Sequence, residues 1–137
     1  MKNLPVFLLL GTLMSLAASA DDIRGADRIL CSTLQASVCF PDDGCTTVPA
    51  SALNIPQFIN VDVRGKTLST TVASGENRQT PLSSVERRDG LLVMHGYEHG
   101  RTFTLLIPEL SGQASFSSAS EDRSVVVFAA CTPAPGR

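Results

Sequence analysis

Short runs of alternating apolar and polar residues fill most of the chain, and turn residues break them about every 8–12 positions. That rhythm belongs to strands paired in a sandwich or barrel. Residues 28–40 set Leu30, Leu34, Ala36, Val38 and Phe40 on one face, with Ser32 as the exception. Phe40 to Gly44 reads as a turn, and Pro49 opens a single helical turn over 49–53. Residues 57–63 alternate cleanly: Ile59, Val61 and Val63 face one way, Asn60 and Asp62 the other. Residues 66–73, rich in Thr and Val, predict another strand, and Ser74 to Asn77 a loop. Residues 79–87 predict a weaker strand, which Pro81 would confine to an edge.

Asp89-Gly90 turns the chain into residues 91–97. Glu98-His99-Gly100 fits a three-residue hairpin loop with glycine in the left-handed position. That register sets Tyr97, His95, Val93 and Leu91 opposite Arg101, Phe103, Leu105 and Ile107. Pro108 ends the strand, and residues 113–118 and 124–131 supply two more. The last run is apolar on both faces, which predicts a central strand covered on both sides. Every connection is short, and short connections join antiparallel neighbours. The expected fold is therefore all-β: a small antiparallel meander of about eight strands, closed or nearly closed into a barrel. A two-sheet β-sandwich is the alternative.

The N-terminal residues read differently. Lys2, the apolar run Val6–Leu16 and the small-residue site Ala18-Ser19-Ala20 have the form of a secretory signal peptide. Residues 1–20 are expected to be removed, leaving one β domain over 21–131 and a flexible Pro/Gly tail over 132–137. Removing Lys2 from 11 basic residues leaves 10 against 13 acidic ones, a net charge of −3. No basic run exceeds Arg87-Arg88, so nucleic-acid binding is not expected. No later stretch is apolar enough for a membrane-spanning helix.

Export changes the reading of the four cysteines. An oxidising compartment, the periplasm or else the extracellular space, favours disulfides. Four cysteines allow three pairings. Cys39 and Cys45 flank a short turn, and Cys31 and Cys131 lie in the first and last strands, which a closed meander makes neighbours. Cys39–Cys45 and Cys31–Cys131 are the expected bridges. Redox catalysis is not expected, because there is no CxxC and no cationic setting to depress a thiol pKa.

Candidate chemistry is sparse. His95, Glu98 and His99 could be metal ligands, but they straddle a strand end and a turn, where convergence on one ion is not expected. Asp42-Asp43-Gly44 lacks the spaced carboxylates of a calcium loop. Glu76 with Glu86, or Glu86 with Asp89, could be paired acids, yet loop carboxylates are ordinarily just solvated. There is no GxSxG, HExxH or P-loop. No catalytic residue, metal or cofactor is expected. The polar cluster that remains is Ser74-Gly75-Glu76-Asn77-Arg78 together with Glu86-Arg87-Arg88-Asp89-Gly90. If these loops share one rim, Ser74, Gly75, Arg78, Arg87 and Arg88 form a basic contact surface on an acidic protein. A plain solubilising surface is the alternative.

The segment VDVRGKTLSTTVASGENR, followed by a DG turn and an apolar strand, resembles the periplasmic inhibitors of C-type lysozyme. The resemblance implies a signal-bearing, disulfide-bonded β-barrel. It also implies an inhibitory loop at Ser74-Gly75 and a basic residue, Arg88, before a later turn. The chain departs from that pattern at Arg78, where an aromatic is expected, and at Asp89-Gly90, where Lys-Gly is expected. IPQFINVDV and GRTFTLLIPELSGQASFSSASEDRSVVVFAACTP are similar to small exported proteins of Gram-negative bacteria of uncharacterised function. That similarity implies an all-β fold and a periplasmic location, and no activity. The expected function is a non-enzymatic periplasmic binding protein, monomeric or weakly dimeric, that meets a protein partner through loops 74–78 and 86–90. A carrier of small apolar ligands in a barrel lumen is the alternative, and an enzyme of unknown type comes third.

Overall fold

A computed structural model describes residues 20–135. The expected leader lies outside them except for Ala20. Nine strands follow in order: β1 Arg28–Phe40, β2 Gly44–Val48, β3 Phe58–Asp62, β4 Thr67–Thr70, β5 Gln79–Arg88, β6 Leu91–Glu98, β7 Arg101–Pro108, β8 Gln113–Ala119 and β9 Ser124–Pro133. Each pairs antiparallel with its neighbours, and β9 returns to pair with β1. Eight strands thus close an antiparallel barrel, and β2 is an extra strand on the far half of β1. A 3₁₀ turn, Ala50–Leu53, opens after Pro49 in the connection from β2 to β3.

Closure places the cysteines. Cys31 faces Cys131 across the β1–β9 seam, and Cys39 faces Cys45 across the β1–β2 hairpin. Both pairs are bonded, each with Cα atoms 4.0 Å apart. The first bridge is buried in the core and joins the two ends of the meander.

The antiparallel pairing also sorts the connections into two ends. One end carries the β1–β2 hairpin, residues 71–78, the β6–β7 turn and the β8–β9 turn; we call it the loop end. The other carries both ends of the described chain and the turns after β3, β5 and β7; we call it the terminal end. Ile23, Ile29, Val61, Leu92, Met94 and Ile107 are at most 1% exposed along the barrel axis. Ile23 comes from the segment before β1, which lies across the terminal end. The Asp21 N–H donates to Cys131 O at 3.0 Å, and the Ile23 N–H to Glu109 O at 2.8 Å. At the loop end, Ala50, Leu53 and Ile55 pack on Ala36 and Val127.

Several local expectations change. The β6–β7 turn holds two residues, with His99 (φ 47°) and Gly100 (φ 78°) both left-handed, as a type I′ turn requires. Glu98 therefore pairs with Arg101 and Met94 with Leu105, which shifts the expected register by one residue. A one-residue slip exchanges the two faces. Leu92 and Met94 point inward, and His95 points out. In β1 a register shift between Thr33 and Gln35 changes the parity: Ile29 and Cys31 are buried before it, Ala36 and Val38 after it. Leu34, expected inside, is 58% exposed. Pro81 does not make β5 an edge, since β4 and β6 flank the strand. Pro81 sits opposite Thr67, and the β6 ladder begins one residue later at Leu82, so its missing N–H breaks no rung. The strand expected over 66–73 stops at Thr70 and gives way to a second 3₁₀ turn, Val72–Ser74. β9 is central, yet its outer face is bare: Phe128 is 54% and Val126 36% exposed. It also runs through Thr132 and Pro133, two residues into the expected tail.

Candidate functional site

The connection from β4 to β5 stands at the loop end and is held by its own side chains. Thr70 Oγ1 donates to Glu76 O at 2.9 Å and accepts from the Arg78 N–H at 3.1 Å, clamping the base of the loop. Ser74 Oγ donates to Thr71 O at 2.6 Å and accepts from the Glu76 N–H at 3.2 Å. Gly75, at φ 69°, closes the 3₁₀ turn with its N–H on Val72 O. Glycine suits that left-handed position because it carries no Cβ. Arg78 Nε bonds Glu76 Oε2 at 2.7 Å, and both terminal nitrogens of Arg78 donate to Asn54 O at 3.1 and 3.2 Å. Asn54 itself caps the 3₁₀ turn before β3 in a left-handed conformation.

Within this braced loop Val72 is 92% exposed, the most exposed large apolar side chain among the described residues. In the sequence alone Val72 falls within the strand expected over 66–73. Its signal was an apolar residue directly after a Thr-rich run and three before a glycine. Beside the loop, a groove of about 300 Å³ crosses the outer wall of β1, β3 and β4. Arg28, Asn60, Thr67, Ser69, Asn77 and Arg78 are among its lining residues. These groups offer guanidinium and amide donors together with hydroxyl and amide acceptors, a lining suited to a polar, extended ligand such as a peptide segment.

The other expected contact loop is elsewhere. Arg78 and Arg88 lie at opposite ends of β5, whose ten residues span about 30 Å. The expected single rim is therefore corrected: Ser74, Gly75 and Arg78 stand at the loop end, while Arg87 and Arg88 stand at the terminal end. A ten-residue strand can bring its flanking turns together only by bending double, and β5 does not. The Ser-Gly pair and the basic residue that the lysozyme-inhibitor resemblance singles out are likewise parted.

Arg87 is built into the fold. Its guanidinium bonds Glu109 Oε1 and Ala26 O, and Glu109 is the one buried charged side chain among the described residues. The ion pair ties β5 to the turn after β7, and the bond to Ala26 O ties it to the segment that closes the terminal end. Arg88 is solvated, with its side chain 80% exposed and only a 4.0 Å approach to Asp89.

The histidines do not converge. His95 faces outward with Nδ1 2.9 Å from Thr104 Oγ1, whereas Glu98 Oε1 accepts from Thr80 Oγ1 at 2.8 Å. Three residues apart on a strand, the two side chains leave opposite faces. His99 belongs to the turn, with its side chain 83% exposed. Among the described residues no helix is long and apolar enough to cross a membrane. No family model, curated protein or solved structure matches the chain.

Proposed function

We propose that the protein is a non-enzymatic binding protein exported to the periplasm, and that it meets a protein partner through loop 71–78 and the adjoining polar groove. One observation carries this reading. Val72 is almost fully exposed on a loop whose neighbouring polar groups are already hydrogen-bonded to one another. Such a loop loses little conformational freedom on binding. Burying one valine in a partner pocket contributes about 1.5 kcal/mol or more. Arg78, tethered but with its side chain 43% exposed, can add a directional contact at the groove. Two disulfides, one spanning nearly the whole domain, fit a protein that works in an oxidising compartment.

Ser74 Oγ already bonds Thr71 and Glu76, so the apolar tip and the guanidinium, rather than that hydroxyl, are the contact groups in this reading. The apolar-carrier alternative needs space on the barrel axis, where Leu92, Met94, Phe103, Leu105 and Ile107 are packed.

The test uses the oxidised mature protein as bait against periplasmic extract and against a C-type lysozyme. Val72→Asp should weaken capture tenfold or more with an unchanged melting temperature, since a binding anchor is worth about 2 kcal/mol, and Arg78→Ala, which also removes the tether to Asn54, should weaken it too. Arg88→Ala should keep full capture. Undiminished capture by Val72→Asp would refute the proposal.

A further inference from the structure

We propose that the outer wall formed by β1, β9, β8 and β7 is a self-association surface, which meets the same wall of a second copy of this chain about a two-fold axis. The centre of the wall, on β9 and β8, is remote from loop 71–78, which joins β4 to β5, and its role is independent of that loop. At its centre stand Leu34, Phe128 and Val126, exposed to 58%, 54% and 36%. The register shift in β1 turns Leu34 outward, beside Phe128. Pairing then fixes the surroundings. Phe128 lies between Gln35 and Ser115, and Val126 between Ser37 and Ser117. On the next strand Leu106 faces Ser115 and Thr104 faces Ser117.

No outward position in these rows is charged, although 18% of the chain is Asp, Glu, Lys or Arg. The opposite wall carries Asp62, Glu86 and Arg88 on β3 and β5. The contrast selects the occupant. Two-fold symmetry lays a patch on its own image, so a charge near the axis meets its like. A neutral wall has no such penalty. Its polar members are Ser, Thr and Gln, and each carries both donor and acceptor. Such a group can bond its own mate at the axis and any like group away from it, which a donor-only guanidinium or an acceptor-only carboxylate cannot do with its own kind.

Size sets the strength. Four strands spaced about 4.8 Å apart and about five residues tall give a patch on the order of 300–400 Å². A stable standard interface needs about 800 Å² from each partner. The dimer is accordingly weak and concentration-dependent.

The experiment is sedimentation of the oxidised mature protein over about 10 μM to 1 mM, a range that covers weak association. The weight-average mass should rise from the monomer value toward twice that value. Amide shifts that move with concentration should map to β1, β9, β8 and β7. Phe128→Asp and Ser117→Asp, both at exposed positions, should hold the mass at the monomer value while leaving the melting temperature within a few degrees. A constant monomer mass for the wild type would overturn the inference. So would association that survives both substitutions, which would move the contact to another surface such as the free edge of β2. Val72→Asp should leave self-association intact, so this inference and the partner-binding proposal stand or fall separately.

Discussion

Gly96→Ala should destabilise the barrel by about 2 kcal/mol, within the 1–3 kcal/mol typical of an overpacked core. Gly96 lies in β6 directly opposite Phe103 of β7, whose ring folds over it. A methyl at 96 would lie 2.6 Å from Cε1 and 2.8 Å from Cε2 of that ring, with Cζ closer still. Carbon atoms in contact settle at about 3.5–4.0 Å, so the ring must retreat by roughly 1.5 Å. It has little room to do so. Phe103 is 5% exposed and stacks on Phe116 with centroids 5.4 Å apart. In open space the same change would stabilise a strand by about 0.5–1 kcal/mol, because alanine loses less backbone freedom on folding. The sign of the measured effect therefore reports directly on the ring. Denaturant unfolding of the oxidised protein gives the free energy, and a thermal scan should show a drop of about 4 °C or more per kcal/mol. The companion substitution is Phe103→Leu, which removes the ring at its own cost. In that background Gly96→Ala should become neutral or stabilising, giving a coupling of about 1.5 kcal/mol or more in the double-mutant cycle. A Gly96→Ala variant as stable as the wild type, or a coupling near zero, would refute the packing described.

Three further outcomes follow from the same structure. Removing the Cys31–Cys131 bridge by paired alanine substitution should cost about 4–5 kcal/mol by loop entropy, against about 2–3 kcal/mol for Cys39–Cys45; equal losses in denaturant titrations would contradict the seam's role. Arg87→Ala should cost about 1–3 kcal/mol by leaving buried Glu109 without its partner, while Arg88→Ala should stay within about 0.5 kcal/mol, and comparable unfolding midpoints would count against the distinction. The Ser120 hydroxyl, ahead of the Arg123 guanidinium, holds the Asp122 carboxyl below the ordinary aspartate range. A carboxyl depressed in the folded state favours folding above the unfolded aspartate pKa, and that contribution fades as pH falls through the folded value. Ser120→Ala should therefore raise the Asp122 midpoint in an NMR titration, and an unmoved midpoint would remove the hydroxyl as the cause.

Local signals determined a good deal about this protein. Turn residues such as Asp89-Gly90 and the short connections implied an antiparallel meander, because adjacent strands joined by short turns have few other places to go. The cysteine pairs were legible for the same reason: a short turn brings Cys39 to Cys45, and a closed meander brings its first strand to its last. What the local pattern could not carry was parity. Alternation is read over a few residues, whereas the register shift after Thr33 and the two-residue turn at His99-Gly100 are settled by how β1 and β6 meet neighbours across the barrel. One residue either way exchanges inside for outside, so Leu34 and His95 were misplaced although their strands were found. The candidate site suffered similarly. Ser74, Gly75 and Arg78 form one loop, but only the continuity of β5 between β4 and β6 shows that Arg88 stands about 30 Å away. Arg87 looked like its surface neighbour until Glu109 and the Ala26 carbonyl, 22 and 61 positions distant, were seen to bind it. Val72 became a candidate anchor because Thr70, Ser74 and Asn54 bend and brace the chain beneath it, leaving its side chain no core to enter.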